Sequence, residues 1–370
     1  MRNANWRYFD FWLFGAVAVL TIFGVAMINS TIAGNIDMAT ASRRQFVFAI
    51  LGVIALFGVA YIDYHLWQSI NRPIYVVTVV VLAILLIAGK TILGSARWFK
   101  TTLVSIQPSE FAKIVIILVL AEYFTVYKNQ IGSLGVVARS LIMTVLIVVW
   151  IIFQPNLSTS IVILVLWFAL LWASGLKIKH LVFFATGSII LPIVGFPLLA
   201  DYQQNRILKY LRPEPTASYG DTYNIQQALI SIGSGGLFGK GYGLGTQVQL
   251  RFLKVRWSDY IFSAMAEEFG FVGTVIVLLL LLFVIYRVLR AARLSRDTFG
   301  ALICYGVATL LAFQGMVNVG VNLRLIPATG LPLPFISYGG SSLFSLFIGI
   351  GLVESVILRH KSLEFSKKSQ

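Results

Sequence analysis

The chain has 370 residues, 58% hydrophobic and only 12% charged, and carries a net charge of +15. Soluble domains hold roughly 45–50% apolar and about 25% charged residues, so the composition excludes a soluble globular protein and indicates an all-α polytopic membrane protein. The basic residues cluster at helix ends, which suits lipid headgroups rather than nucleic acid.

A helix crossing about 30 Å of hydrocarbon needs roughly 20 residues. About ten apolar runs approach that length: 11–29, 46–62, 74–89, 111–126, 140–153, 159–174, 181–200, 260–286, 299–319 and 342–358. They are continuously apolar rather than alternating, which argues against membrane β-strands. The first run has little basic flank and no small-residue cleavage site, so it reads as a retained span, not a signal peptide. The chain reads as one transmembrane domain over 1–370, with a long extracytoplasmic loop at 199–259 between helices 7 and 8.

Orientation follows from basic-residue asymmetry. With the N-terminus in the cytoplasm, fifteen Lys and Arg fall on the inner side, including Arg72, Arg139, Arg287, Arg290 and Arg293. Six fall in short outer loops: Arg43, Arg44, Lys90, Arg97, Lys100 and Arg324. Both termini are then cytoplasmic. The lone Cys304 and the scattered His65, His180 and His360 offer no zinc site. The two halves show no convincing repeat, which weakens a transporter built on inverted repeats.

Three polar segments sit on the outer side, at 94–110, in the long loop, and at 318–342, where Pro327, Pro332 and Pro334 forbid a regular helix. Non-helical backbone at membrane depth is tolerated when it lines a cavity or is buried in protein, so the three segments suggest one shared polar cavity. In the first, Arg97 beside Trp98 suits bidentate phosphate recognition. Lys113 is an intramembrane cation, as suited to an ion pair with Glu110 at i, i+3 as to a phosphate.

The long loop holds seven basic residues, Arg206 and Lys240 among them, against three acidic ones, which favours an anionic substrate. Its glycine run, 232–247, fails both the Walker A and the GxGxxG spacing; glycine there lets the backbone turn tightly and approach a ligand. Asp259 stands where the loop meets the eighth span. It fits a general base and equally a helix cap. Glu267 and Glu268 lie on different faces of that span, and at least one is expected to pair with a basic residue of a neighbouring helix.

The ordered motifs resemble the SEDS (shape, elongation, division, sporulation) family of peptidoglycan glycosyltransferases. They are Arg97-Trp98, Gln107-Pro108-Ser109-Glu110 with Lys113, Gln154-Pro155, Gly245-Thr246-Gln247, Asp259-Tyr260-Ile261-Phe262, Ala266-Glu267-Glu268 and Pro334-Phe335-Ile336-Ser337-Tyr338. The Gly-Thr-Gln and Ala-Glu-Glu forms resemble the elongation member RodA more than the division member FtsW. Asn156, Arg251 and Val255 depart from the family pattern, each standing where the family commonly has an acid.

The resemblance implies a multi-pass plasma-membrane enzyme that polymerises lipid II into β-1,4 glycan, with Asp259 as the catalytic base. It implies substrate contacts from Arg97, Trp98, Lys113, Arg206, Lys240, Gln247 and Ser337, and supporting roles for Glu110, Glu267 and Glu268. Undecaprenyl pyrophosphate is the leaving group, a class B penicillin-binding protein (a transpeptidase) the partner, and no cofactor is certain, with Mg or Mn ions left open. A lipid II flippase and a non-catalytic cell-wall scaffold are the alternatives.

Overall fold

The computed structural model describes residues 5–32, 38, 40–88, 97–100, 105–176, 196–198, 201–212 and 220–360. In chain order the helices are α1 (Phe11–Ile32), α2 (Ala41–Tyr61), α3 (Tyr64–Ser69), α4 (Asn71–Ala88), α5 (Pro108–Val126), α6 (Leu134–Phe153) and α7 (Leu157–Ala173). After them come α8 (Asp201–Leu211), α9 (Asp221–Ser234), α10 (Thr246–Gln249), α11 (Ile261–Leu294), α12 (Thr298–Asn322) and α13 (Gly340–Leu358). A two-residue antiparallel ladder, β1 (Phe99–Lys100) with β2 (Ser105–Ile106), precedes α5.

Nine of the ten expected spans coincide with described helices; the seventh, at 181–200, lies outside the described residues apart from 196–198. Helix α2 begins at Ala41, which brings Arg43 and Arg44 into its first turn. Helix α11 continues to Leu294 because Arg287, Arg290 and Arg293 are good helix formers that carry it beyond the apolar stretch. The core is continuous through the bundle: α13 packs along α2, and α12 lies against α11, α5 and α7. Apolar residues such as Leu20, Phe124, Ile303 and Ile350 are fully buried there.

Within the long loop expected at 199–259 lie α8, α9 and α10. Ile225 and Ala228 explain α9: they fall three residues apart, are buried, and seat the helix on α11.

The glycine run folds onto a break in α11. Gly270 has φ 68 inside that helix, so the backbone groups around it lose their helical partners. The run supplies replacements. The Lys240 and Gly241 amides donate to the Glu267 and Glu268 carbonyls at 3.0 and 2.9 Å, and Phe271 and Val272 donate back to the Gly236 and Leu237 carbonyls at 2.9 and 3.0 Å. A Cβ at Gly239 or Gly270 would overlap the opposing backbone. At Gly239 and Gly270 the close approach made possible by glycine is between the run and α11.

Candidate active site

All three outer polar segments line one cavity of about 590 Å³. Its charged lining residues are Arg44 from α2, Arg97 before β1, Glu110 from α5, Arg206 from α8, and Asp259 just ahead of α11. Trp98, Ser258, Asn156, Thr329 and Tyr338 complete much of the wall.

Asp259 is fixed from both sides. Its carbonyl accepts from Nδ2 of Asn318 at 3.1 Å and of Asn322 at 2.9 Å, both on α12. Asn322 in turn accepts at Oδ1 from the Ser263 amide and hydroxyl, at 3.1 and 2.6 Å, which ties α12 to the first turn of α11. The Ser258 hydroxyl donates to Asp259 Oδ1 at 3.0 Å. On the other flank the Tyr338 amide donates to the Trp257 carbonyl at 2.9 Å, and the Ser337 hydroxyl to the Ser258 carbonyl at 2.7 Å. The N-cap of α11 is Tyr260, and no side chain caps it. Asp259 lines the cavity.

Arg97 is aimed by carbonyls: Nε donates to Gln154 O at 3.0 Å and Nη2 to Pro155 O. Gln154 is itself held by a bond from Nε2 to the Leu82 carbonyl at 2.9 Å. Arg256, next to Trp257 of the cavity wall, is buried, with Nε on the Thr31 carbonyl at 2.6 Å. Burial pushes its guanidinium below the usual value, and nearby Arg251 adds to the effect.

Four residues expected to touch substrate do not line this cavity. Lys113 is fully buried on a 2.7 Å ion pair with Glu110, the local pairing that their i, i+3 spacing allows. Lys240 lies 2.7 Å from Glu267. Gln247 also belongs to that cluster, its amide donating to Glu267 at 3.0 Å. Ser337 is buried and braces Ser258 as described. Glu267 therefore pairs with a basic residue as expected, but from the glycine run rather than from a helix, while Glu268 accepts from Ser30 of α1 at 2.5 Å.

Residues 6–362 match the FtsW, RodA and SpoVE family model, described as cell cycle protein. The chain belongs to this family. Stage V sporulation protein E of Bacillus subtilis is 35% identical over 323 residues, covering 85% of this chain and 86% of that protein. The peptidoglycan glycosyltransferase MrdB of Escherichia coli K12 is 33% identical over 350 residues, covering 94% and 93%. A chain of a peptidoglycan synthase complex that coordinates polymerization and crosslinking superposes with TM-score 0.81 at 29% identity, covering 96% and 99%. Thermus thermophilus RodA superposes with TM-score 0.71 at 30% identity, covering 95% and 98%.

Within this FtsW, RodA and SpoVE fold, Arg44 is a cavity residue that motif reading left aside. A signal for it exists, because a cation in the first turn of a helix opposes the helix dipole and calls for a reason. Among the described residues no three His, Cys, Asp or Glu side chains cluster to hold a metal ion on protein ligands alone. Of the cavity carboxylates among them, Glu110 is already bonded to Lys113.

Proposed function

We propose that this protein polymerises lipid II into β-1,4 glycan at the outer face of the plasma membrane, with Asp259 as general base. The observation that carries the reading is the single cavity that sets a rigidly held carboxylate among Arg44, Arg97 and Arg206. In the step, the GlcNAc 4-hydroxyl oxygen of incoming lipid II bonds to the anomeric carbon of the donor, and its proton passes to Asp259. The bond from that carbon to undecaprenyl pyrophosphate breaks, and the three arginines stabilise the charge gathering on the leaving phosphate. Lys113 takes a supporting role, holding Glu110 at the cavity wall. Replacing Asp259 with Asn removes the base but keeps the shape, so polymer formation from purified lipid II falls by at least a hundredfold, the scale of a lost acid–base group, with unchanged melting. Polymer from the variant at the wild-type rate would refute the assignment. A flippase would move lipid II between leaflets and form no polymer, so the same assay separates the two.

The reading extends to the pathway and the partner. Gly245-Thr246-Gln247 and Ala266-Glu267-Glu268 support a place in cell elongation; restored rod shape in an elongation-deficient strain, without rescue of a division-deficient one, tests it. A single-pass class B penicillin-binding protein would supply the crosslinking, as polymerization and crosslinking are coordinated in the similar synthase complex.

A further inference from the structure

Helix α5 runs away from the Asp259 cavity, and Glu122 lies about 18 Å beyond Glu110 at 1.5 Å per residue. There a second cavity, of about 280 Å³, opens between the start of α4, the end of α5 and α6. Asn71, only 2% exposed, faces it. Both of its N–H bonds are used, toward the Leu118 carbonyl at 3.1 Å and Glu122 Oε2 at 2.7 Å. Those two acceptors fix the orientation of the amide and leave Asn71 Oδ1 buried with no hydrogen-bond partner. A buried acceptor in that condition is costly unless a ligand brings a donor.

The neighbours specify which donor. Glu122 places a carboxylate beside the orphan oxygen. Tyr75 and Tyr123 spend their hydroxyls on the Met143 and Val136 carbonyls of α6, at 2.8 and 3.2 Å. What these tyrosines offer the cavity is ring surface, and the Tyr127 ring lies 4.8 Å from that of Tyr123. A carboxylate, a lone-pair acceptor and aromatic rings together select a cation that carries N–H bonds. Arg72 lines the same cavity, and among the described residues no ion pair joins it to Glu122. Its guanidinium suits a phosphate. The rest of the wall, Val76, Val119, Val126 and Met143, is apolar, and Val76 and Val126 are exposed at its mouth.

We propose that this cavity is a binding site for the ammonium phosphate headgroup of phosphatidylethanolamine, with the amine on Asn71 and Glu122, the phosphate on Arg72, and the acyl chains along Val76 and Val126. The test is native mass spectrometry of the full chain released from nanodiscs containing equal phosphatidylethanolamine, phosphatidylcholine and phosphatidylglycerol. The wild type should retain the ethanolamine lipid about tenfold over either competitor, the equivalent of about 1.4 kcal/mol. Glu122→Gln, which keeps the acceptor for Asn71, should abolish that preference. Arg72→Gln, at an exposed position, should weaken retention of all three phosphate-bearing lipids. Equal retention of the choline lipid, which lacks N–H bonds, or an unchanged preference in Glu122→Gln would overturn the proposal. Soluble phosphoethanolamine at the same concentration should fail to displace the lipid, and displacement would overturn the assignment to a membrane lipid.

Discussion

Asn322 uses every hydrogen-bonding position its side chain has. Nδ2 donates to the Asp259 and Asn318 carbonyls at 2.9 and 2.8 Å, and Oδ1 takes both bonds from Ser263. The residue is fully buried, so each of those bonds would be costly to leave unmade. Asn322→Asp turns two donors into acceptors facing two carbonyls, and adds a charge at a fully buried position. The Asp259 carbonyl is then released from one of its two anchors. Lipid II polymerisation should fall at least tenfold, with a lowered melting temperature, the direction expected for losing about 1–3 kcal/mol. The conservative Asn322→Gln should retain more of both. Wild-type turnover in Asn322→Asp would show that the anchor does not position the base. Gly330 lies beside the carboxylate, where a Cβ would meet Asp259 Oδ2 at 3.4 Å, an ordinary contact distance. The Asp259 backbone is therefore positioned by two buried asparagines of α12 that do not line the cavity.

The broken helix α11 and the glycine run form one device at the level of elements. Glu267 is its clasp: Oε1 accepts from Lys240 Nζ at 2.7 Å, Thr246 Oγ1 at 3.2 Å and the Gln247 amide at 3.0 Å, while Oε2 accepts from the Val248 amide at 3.3 Å. The carboxylate thereby caps α10, whose own N-cap, Gly245, has no side chain to do so. Glu267→Gln removes the charge that Lys240 and the first-turn amides share. Hydrogen exchange at 239–249 should accelerate and polymerisation decline, while α12 and α13 keep wild-type protection. Uniform protection across the variant would remove Glu267 from this role. Gly270→Ala is more severe, because backbone at φ 68, ψ −167 is essentially restricted to glycine and costs another residue about 1–3 kcal/mol before the overlap with Leu237 and Gly239 is counted. The spans were legible in the sequence, since an apolar run is itself the physical requirement for crossing lipid. This device was not. Gly270 sits inside an ordinary apolar span, and only the docked run shows that the helix breaks there. Asp259, Arg97 and Arg206 were legible as cavity residues because charge at a boundary between polar loop and lipid needs a use. Lys113 and Lys240 carried the same signal and turned out to serve carboxylates, a distinction that spacing alone cannot draw.

At the scale of the whole molecule, α11 joins the site to the lipid-facing surface. It begins two residues after Asp259 and extends 34 residues. Ile276, Leu279, Leu282 and Tyr286 recur at helical spacing along it, and each is more than half exposed. In lipid such a face has no hydrophobic reason to be covered, so a partner helix there would associate through packing. By the proposed partnership, the transmembrane helix of the class B penicillin-binding protein packs on this face of α11 or on adjoining α12. Binding would then act on a rod whose upper end carries Asp259 and whose break holds the glycine run. That is a route for shifting the population of competent loop geometries without adding a catalytic group. Co-reconstitution should raise polymer yield above that of the chain alone. Leu279→Lys should weaken association and remove the gain, yet leave the basal rate of the chain by itself unchanged, since Leu279 lies far from the cavity. Equal polymer yield with and without the transpeptidase would remove the activation claim. Full activation of Leu279→Lys would instead move the contact off this face of α11.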